Sequence, residues 1–254
     1  MTDNKSIEKR MSDLDVCVII PTYNNARTLA DVVNSVLDYT GNVIIVNDGS
    51  TDHTEKILER YHYLTIVSYK HNRGKGYALK SGFKIAERLG YRYAITIDSD
   101  GQHFASDIVT FVDLIEQNPD VFIAGQRITE GEMPSPNNFA NKLSSFWINF
   151  LMLSKLRDTQ NGFRLYPLWA MNGMRPLFNR YEAELELIVR CAWKGIKIMP
   201  AVTRVYYPPK EERVSHFRPG ADFLRIAGLN TLFVFVAIFY GYPAMFYHRF
   251  IAKK

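Results

Sequence analysis

Short apolar runs alternate with amphipathic segments along most of the chain. Each run is closed by turn-forming residues, which is typical of a buried strand. Strands that alternate with helices predict an α/β protein with a parallel, right-handed, doubly wound sheet. The predicted strands are residues 16–20, 42–46, 64–68, 93–97, 121–124 and 198–206, and the predicted helices are 26–37, 106–117, 143–156 and 181–194, with two more ending near Tyr61 and Leu89.

The two ends of the chain differ in character. Residues 1–15 are polar and charged, and they predict a disordered or loosely helical leader without the apolar core of a signal peptide. Residues 226–247 carry no charge and are about long enough to cross a bilayer, although glycine, asparagine and proline interrupt them. Membrane contact is favoured, and a spanning helix, a surface helix and a helix packed on the protein all remain open. Basic residues follow at Arg249, Lys253 and Lys254, and they favour a cytoplasmic end.

Composition and missing motifs narrow the class of function. The 254 residues suffice for one large α/β domain, and a net charge of +5 without a dense basic run argues against a nucleic-acid partner. Cys17 and Cys191 are not spaced for a disulfide or for zinc, and they fit a reducing compartment. The turn after the first strand lacks the glycines of a dinucleotide site, and no Walker loop is present.

The most informative polar stretch follows the strand at residues 93–97. Asp98 and Asp100 lie where this strand leaves the sheet, and in open α/β sheets ligands bind at that end. Two carboxylates followed by the amide of Gln102 suit a hard cation such as Mg²⁺ or Mn²⁺, which would face a diphosphate. A solvated turn is the alternative.

A second candidate element is the glycine-rich loop of residues 71–76. Arg73 and Lys75 lie in this loop, directly before a helix. Flexible glycines and two cations suit a diphosphate, and a solvated basic loop is the alternative.

Five motifs occur in a fixed order: VIIPTYN (18–24), VNDGSTD (46–52), NRGKGYA (72–78), DSDGQH (98–103) and DTQNGFR (158–164). Together they resemble family 2 glycosyltransferases, and most closely the branch that transfers mannose or glucose to polyprenyl or dolichyl phosphate. The resemblance covers about residues 16–217. It implies a GT-A fold, with a Rossmann-like, mostly parallel doubly wound sheet, followed by a hydrophobic helical tail at residues 218–254.

The resemblance implies that the donor binds at the carboxyl ends of the first two strands. It implies that Pro21, Thr22 and Tyr23 hold the base and ribose, and that Asn47 and Asp48 read the base edge. Two positions depart from the family pattern, which usually has Glu at 25 and Asp at 47, so the choice between uracil and guanine stays open. The predicted residues of the nucleotide-sugar site are Pro21, Thr22, Tyr23, Asn25, Asn47, Asp48, Arg73, Lys75, Asp98 and Ser99.

The resemblance also implies an inverting single displacement on a sugar nucleotide. Because a phosphate monoester is already largely dianionic at neutral pH, a lipid-phosphate acceptor needs cations rather than a base. The arginines of the second half fit such an acceptor. The predicted catalytic residues are Asp98, Asp100, Asp158 and Glu184, the predicted metal ligands are Asp98, Asp100 and Gln102, and the predicted acceptor ligands are Arg127, Gln160, Arg164, Arg213 and Ser215.

Two other functions remain open on the sequence. A glycosyltransferase that acts on a glycan or glycolipid hydroxyl would use Asp158 or Glu184 as its base. An inactive module of the same fold would bind the sugar nucleotide or the membrane without turnover. The main hypothesis places the protein on the cytoplasmic face of a membrane, with a UDP- or GDP-sugar and a lipid phosphate as partners and a homo-oligomer left open.

Overall fold

The computed structural model describes residues 4–128, 135–174, 176–206 and 219–251. The strands in these ranges are β1 (Val16–Thr22), β2 (Val43–Asn47), β3 (Thr65–Ser68), β4 (Tyr93–Thr96), β5 (Phe122–Ile128), β6 (Arg164–Pro167) and β7 (Ile198–Arg204). The helices are α1 (Asn4–Asp13), α2 (Leu29–Leu37), α3 (Thr54–Leu58), α4 (Lys75–Arg88), α5 (Ile108–Gln117), α6 (Ser135–Met152), α7 (Leu168–Met171), α8 (Glu182–Trp193), α9 (Pro219–Val236) and α10 (Tyr242–Phe250).

The seven strands of the described residues form one sheet in the order β3-β2-β1-β4-β6-β5-β7. Strand β1 pairs in parallel with β2 and β4, and β5 pairs in parallel with β7. Strand β6 runs antiparallel between β4 and β5. The predicted doubly wound, mostly parallel sheet is therefore confirmed. The sequence analysis missed β6, because four residues ending in a proline give a weak strand signal.

The continuous Val and Ile runs of the central strands exist because both faces of the sheet are covered. Along β1, Cys17 and Ile19 face the core that is shared with α4, α6, α8 and α9. Val16, Val18 and Ile20 face the second core, which is shared with α1, α2 and α5. Because side chains alternate along the strand, its two faces contribute to two separate cores. The polar residues of the candidate site lie beyond the ends of the strands.

Helix α4 approaches the sheet closely because glycines face its neighbours. A Cβ at Gly82 would lie 2.7 Å from Ile19 of β1, and a Cβ at Gly76 would lie 2.2 Å from Ala183 of α8. Any larger side chain would push the helix outward. These contacts fix the N-terminus of α4 beside the carboxyl ends of the central strands.

The N-terminal segment is an ordered part of the fold. Helix α1 buries Ile7 and Met11 against the core, and Arg10 forms ion pairs with Asp113 and Glu116 of α5. The prediction allowed a disordered or a loosely helical leader: the segment is helical, but it is packed on the domain and not loose. Two buried side chains in an otherwise charged helix were too few to reveal its packing face.

The tail packs along the domain through one face only. Leu229, Phe233 and Ala237 are fully buried, and the ring of Phe233 contacts that of Trp193 in α8. The opposite face exposes large apolar side chains, including Phe239, which is 82% exposed. The chain between Gly228 and Phe250 is helical for 23 residues and apolar enough to cross a membrane. One face of the tail is therefore packed on the protein, as one of the three predicted alternatives states, and the other face is exposed.

Helix α6 also differs from its prediction. It begins at Ser135, eight residues before the predicted start, and residues 129–134 lie outside the described ranges. Its inner face buries Ile148 and Leu151, while Phe146 and Phe150 are exposed. The predicted boundary between catalytic domain and tail, at residues 217 and 218, also lies outside the described residues.

Candidate active site

Four chain segments meet at the carboxyl ends of β1, β2 and β4. The turn after β1 is tied to the turn after β2, because the Asn24 side chain accepts a hydrogen bond from the Thr51 amide at 2.7 Å and the Asn24 amide donates to Ser50 Oγ at 3.0 Å. Asn24 has a φ of 52°, a conformation that asparagine tolerates better than most residues. The first two predicted strand-end turns therefore form one surface.

A buried hydrogen-bond chain joins this surface to the acidic turn after β4. Asn25 Nδ2 donates to Ser99 Oγ at 2.7 Å, and Ser99 Oγ donates to the carbonyl of Pro21 at 3.0 Å. A carbonyl accepts only, so the single hydroxyl proton of Ser99 goes to Pro21 and the amide nitrogen of Asn25 must face Ser99. Asn25 Oδ1 and Thr22 Oγ1 are buried and have no hydrogen-bond partner among the described residues. These two atoms are candidates to bind a ligand.

Asp48 organises the basic loop of residues 72–74. Its carboxylate accepts hydrogen bonds from Asn72 Nδ2 and from the backbone amides of Arg73 and Gly74, each at 2.8 Å. Burial raises the pKa of Asp48, while these donors act in the opposite direction. Asn47 Oδ1 accepts a hydrogen bond from the Ser50 amide. The Asp48 carboxylate and the Asn47 side-chain oxygen are thus engaged by the protein's own loops, and the role of these two residues in reading the base edge stays a prediction.

The two cations of this loop differ in their surroundings. Arg73 is exposed, and its guanidinium donates to the hydroxyl of Tyr77 and lies 3.6 Å from the centre of that ring. Lys75 is largely buried, and its ammonium lies 2.7 Å from Asp98 and 2.9 Å from Glu184. Burial alone would lower the pKa of Lys75, but the two carboxylates raise it above its usual value. Lys75 is therefore a charged bridge between the first and second halves of the chain.

The carboxylates after β4 carry more negative charge than their neighbours neutralise. Burial and the charge of Asp98 raise the pKa of Asp100 to about 6. Burial would also raise the pKa of Asp98, but Lys75 lowers it below the usual value. Burial lowers the pKa of His103 to about 4, so its imidazole is neutral. When Asp100 is ionised, Asp98, Asp100 and Glu184 carry three negative charges, while Lys75 and the buried Arg164 supply two positive ones. One negative charge is left over, and a bound cation would neutralise it.

The predicted metal ligands lie together at this turn. Asp100 Oδ1 accepts the Gln102 backbone amide at 3.0 Å, which fixes the turn. Over the described parts of the chain, no group of three His, Cys, Asp or Glu side chains is arranged to hold a metal. A cation here would rely on Asp98, Asp100 and an amide oxygen such as that of Gln102, and oxygen ligands of this kind suit Mg²⁺ and Mn²⁺.

Gly162 brings the second half of the chain against these carboxylates. A Cβ at this position would lie 2.6 Å from Asp98 Oδ2 and 2.7 Å from Lys75 Nζ. The carbonyl of Gly162 accepts the hydroxyl of Thr96 in β4 at 2.7 Å. Only a glycine leaves room for the ion pair, which explains why the DTQNGFR motif contains one at this position.

The predicted acceptor residues fall into two groups. Arg127 and Asp158 form a two-pronged ion pair, with Arg127 Nη2 2.9 Å from Asp158 Oδ1, and the Gln160 side chain donates to Ser144 Oγ of α6. The structure thus brings Arg127, Asp158 and Gln160 together beside α6. Arg213 and Ser215 lie outside the described residues.

Arg164 is a structural residue, so the prediction that it binds the acceptor phosphate is wrong. Its side chain is buried, and its three nitrogens each donate to a backbone carbonyl at 2.7 Å, those of Thr159, Asn161 and Glu184. A guanidinium that is 1% exposed and held by three main-chain carbonyls is not accessible to a substrate. The motif was correctly located, but which way its arginine points depends on the tertiary fold.

We expect Arg164→Met to lower the free energy of unfolding by about 3 kcal/mol, because it leaves three buried carbonyls without their charged donor. Urea unfolding of the purified protein measures this change. Arg157→Met is the matched control, since Arg157 is exposed and lies in the same segment. Unchanged stability together with a raised acceptor KM would instead restore the acceptor role.

Two residues of the site were missed by the sequence analysis. Gln126 accepts the backbone amides of Arg157 and Asp158 at 2.8 Å and donates to the Asp158 carbonyl, so it shapes the turn that holds Asp158. The prediction ended this strand at residue 124, short of Gln126. Tyr77 of α4 supports Arg73 of the preceding loop, and no signal in the sequence indicated this contact.

This fold, with acidic and basic loops at the carboxyl ends of its strands, is that of a GT-A glycosyltransferase. The chain belongs to glycosyl transferase family 2, whose family model matches residues 17–174.

Its relatives in this family include enzymes named for lipid phosphates. The chain is 30% identical over 203 residues to the UDP-N-acetylglucosamine–dolichyl-phosphate N-acetylglucosaminyltransferase of Methanococcus voltae, covering 70% of this chain and 80% of that one. It is 28% identical to glycosyltransferase AglJ of Haloferax volcanii over 82% of this chain and 68% of that one. It is 27% identical to polyprenol monophosphomannose synthase of Mycolicibacterium smegmatis over 59% of this chain and 60% of that one.

Solved structures confirm the fold. Glucosyl-3-phosphoglycerate synthase from Mycobacterium tuberculosis, in complex with Mn²⁺, UDP and glucosyl-3-phosphoglycerate, superposes with a TM-score of 0.68 over 91% of this chain and 84% of that one. The two sequences are 16% identical, so the likeness concerns the fold alone.

Proposed function

We propose that this glycosyltransferase moves a sugar from a UDP- or GDP-linked donor to the phosphate of a polyprenyl-type lipid. The proposed reaction inverts the anomeric carbon in a single displacement: the acceptor phosphate oxygen attacks that carbon as its bond to the donor diphosphate breaks. Relatives that are named for dolichyl and polyprenyl phosphates support this choice of acceptor.

One observation about the candidate bases carries the proposal. A hydroxyl acceptor must lose a proton, and the two catalytic carboxylates that are not assigned to the cation are Asp158 and Glu184. Asp158 is bound to Arg127 and Glu184 to Lys75, so accepting a proton would break an ion pair in each case. A phosphate acceptor has already lost its protons and needs no base. The site therefore suits a phosphate nucleophile better than a hydroxyl.

The donor would lie across the turns after β1 and β2, on the side of Pro21, Thr22 and Tyr23. The unpaired buried acceptors Asn25 Oδ1 and Thr22 Oγ1 would take hydrogen bonds from the nucleoside. Ser99 would fix the orientation of the Asn25 amide. Asp48 would hold the basic loop in place, and the exposed Arg73 of that loop would bind the diphosphate.

Asp98, Asp100 and Gln102 would hold Mg²⁺ or Mn²⁺. When bound, the cation would neutralise charge that develops on the leaving diphosphate. The surplus negative charge of these carboxylates supports this assignment. Arg127 and Gln160, on the side of α6, would bind the acceptor phosphate, and Asp158 would orient Arg127 by its two-pronged ion pair.

The exposed face of the tail would lie on the membrane that supplies the lipid. Phe235, Phe239, Phe246 and Phe250 are exposed along it, while the opposite face is packed on the domain over much of its length. This arrangement favours a helix that lies at the interface over one that crosses the bilayer alone. Arg249 near its end favours the cytoplasmic side.

The test is a transfer assay with purified protein, Mn²⁺ or Mg²⁺ and a panel of UDP- and GDP-sugars. A short polyprenyl phosphate is compared with the corresponding polyprenol. We expect transfer to the phosphate alone, with an acid-labile glycosyl phosphate as product. Transfer to the alcohol would indicate a hydroxyl acceptor, and a failure to bind any sugar nucleotide would indicate an inactive module.

We expect Phe239→Glu to weaken binding to anionic phospholipid vesicles by at least about tenfold, because a charge replaces an apolar ring at the interface. Co-sedimentation measures the bound fraction, and thermal unfolding should be unchanged since the side chain is exposed. Tyr63→Glu is the control, because Tyr63 is a largely exposed aromatic residue outside the tail, close to the edge strand β3. Equal binding by the two variants would contradict the assignment of the tail to the membrane.

A further inference from the structure

The Lys75 ammonium occupies the carboxylate that the proposed cation requires. Its nitrogen lies 2.7 Å from Asp98 Oδ1 and 2.9 Å from Asp98 Oδ2, so both oxygens are engaged. A third contact, of 2.9 Å, joins it to Glu184 Oε2. The backbone of Gly162 closes over the pair. A divalent ion that binds Asp98 must therefore displace Lys75 or share its carboxylate.

The same contacts provide a place for Lys75 to go. Glu184 is buried, and its Oε1 has no hydrogen-bond partner among the described residues. The flexible lysine stem allows the ammonium to leave Asp98 and remain on Glu184. Lys75 is also the first residue of α4, directly after the loop that carries Arg73, where a donor diphosphate would add negative charge.

We propose that Lys75 blocks the cation site until the donor arrives, and that the donor diphosphate draws its ammonium away from Asp98. The cation and the nucleotide then bind as a coupled pair, and the donor-free protein holds the cation weakly. By linkage, each ligand raises the affinity for the other by the same factor. This inference rests on the proposed function, because it takes Asp98 as a cation ligand and a diphosphate as the donor.

The test measures Mn²⁺ binding to the full-length protein without nucleotide, by electron paramagnetic resonance of the free ion. We expect Lys75→Met to bind Mn²⁺ at least about tenfold more tightly than the wild type, because Asp98 is then unoccupied. Arg73→Met is the matched control: it removes the same charge from the same loop, but Arg73 contacts Tyr77 rather than Asp98. We expect less than a threefold change in Mn²⁺ affinity for this variant, since it changes the electrostatic field at the site but leaves Asp98 paired with Lys75.

A second measurement repeats the titration with UDP present. UDP should strengthen Mn²⁺ binding severalfold more in the wild type than in Lys75→Met, because the variant has no ammonium to displace. If Lys75→Met does not fold, as judged by circular dichroism, Lys75→Gln replaces it, since its amide can hydrogen-bond to both carboxylates without a charge.

The outcomes separate this inference from the function on which it rests. Equal Mn²⁺ affinity in the wild type and the lysine variant overturns the inference and leaves sugar transfer untouched. Equal tightening in Lys75→Met and Arg73→Met also overturns it, because the effect is then one of net charge. If Mn²⁺ binds to none of the proteins, even with UDP, the proposed metal-dependent function fails as well.

Discussion

Gly162→Ala is expected to lower the rate of sugar transfer by about a hundredfold or more, although it adds only one methyl group. The new Cβ would lie 2.6 Å from Asp98 Oδ2 and 2.7 Å from Lys75 Nζ, distances that no carbon atom tolerates. Since Gly162 is anchored to β4 through its carbonyl, the ion pair rather than the backbone must move. The substitution therefore displaces the carboxylate on which the cation and the donor depend.

The measurement compares transfer rates at saturating donor and acceptor, together with thermal unfolding. Gly41→Ala is the matched control, because its Cβ would meet one neighbouring atom at an ordinary 3.9 Å. We expect the control to retain wild-type activity. Activity of Gly162→Ala within a few-fold of the wild type would show that the geometry of the Asp98–Lys75 pair is not important for transfer.

Asp100→Ala is expected to reduce transfer by about a thousandfold, which is the scale at which a lost electrostatic contact to a transition state is felt. Burial and Asp98 already raise the pKa of Asp100 to about 6, which marks it as a carboxylate that would gain from a cation. Without Asp100, only one of the two carboxylates that would hold the metal remains. The protein should remain folded, because Asp100 is only partly buried and its charge is poorly compensated.

The assay follows sugar transfer with and without EDTA. In the wild type, EDTA should lower the rate to the level of Asp100→Ala, and excess Mn²⁺ should restore it. The variant should not respond to either addition. Asp31→Ala, at an exposed carboxylate of α2, serves as the control and should behave like the wild type. A wild type that is indifferent to EDTA would exclude the metal-dependent mechanism.

The sequence was most informative about the sheet and its motifs. The apolar runs around Val18, Ile44 and Ile95 are buried on both faces, so their hydrophobicity is continuous and easy to detect. The acidic turn at Asp98 was correctly placed at a strand end, because a turn must follow a buried strand. Lys75 was expected in the loop before α4 and is instead the first residue of that helix. Helix α1 and strand β6 were less visible, since α1 has only two buried apolar residues in a charged sequence and β6 is four residues long.

What the sequence determined by itself is therefore the order of strands and helices along the chain, the kinds of side chain at each strand end and the family. What only the tertiary structure decided is where those side chains point. Arg164 turns inward to three carbonyls, Asp48 binds the loop of residues 72–74, and Lys75 reaches across to Glu184, more than a hundred residues away. Local patterns fix the secondary structure, but the partner of a charged side chain depends on which segments the fold brings within about 3 Å of it.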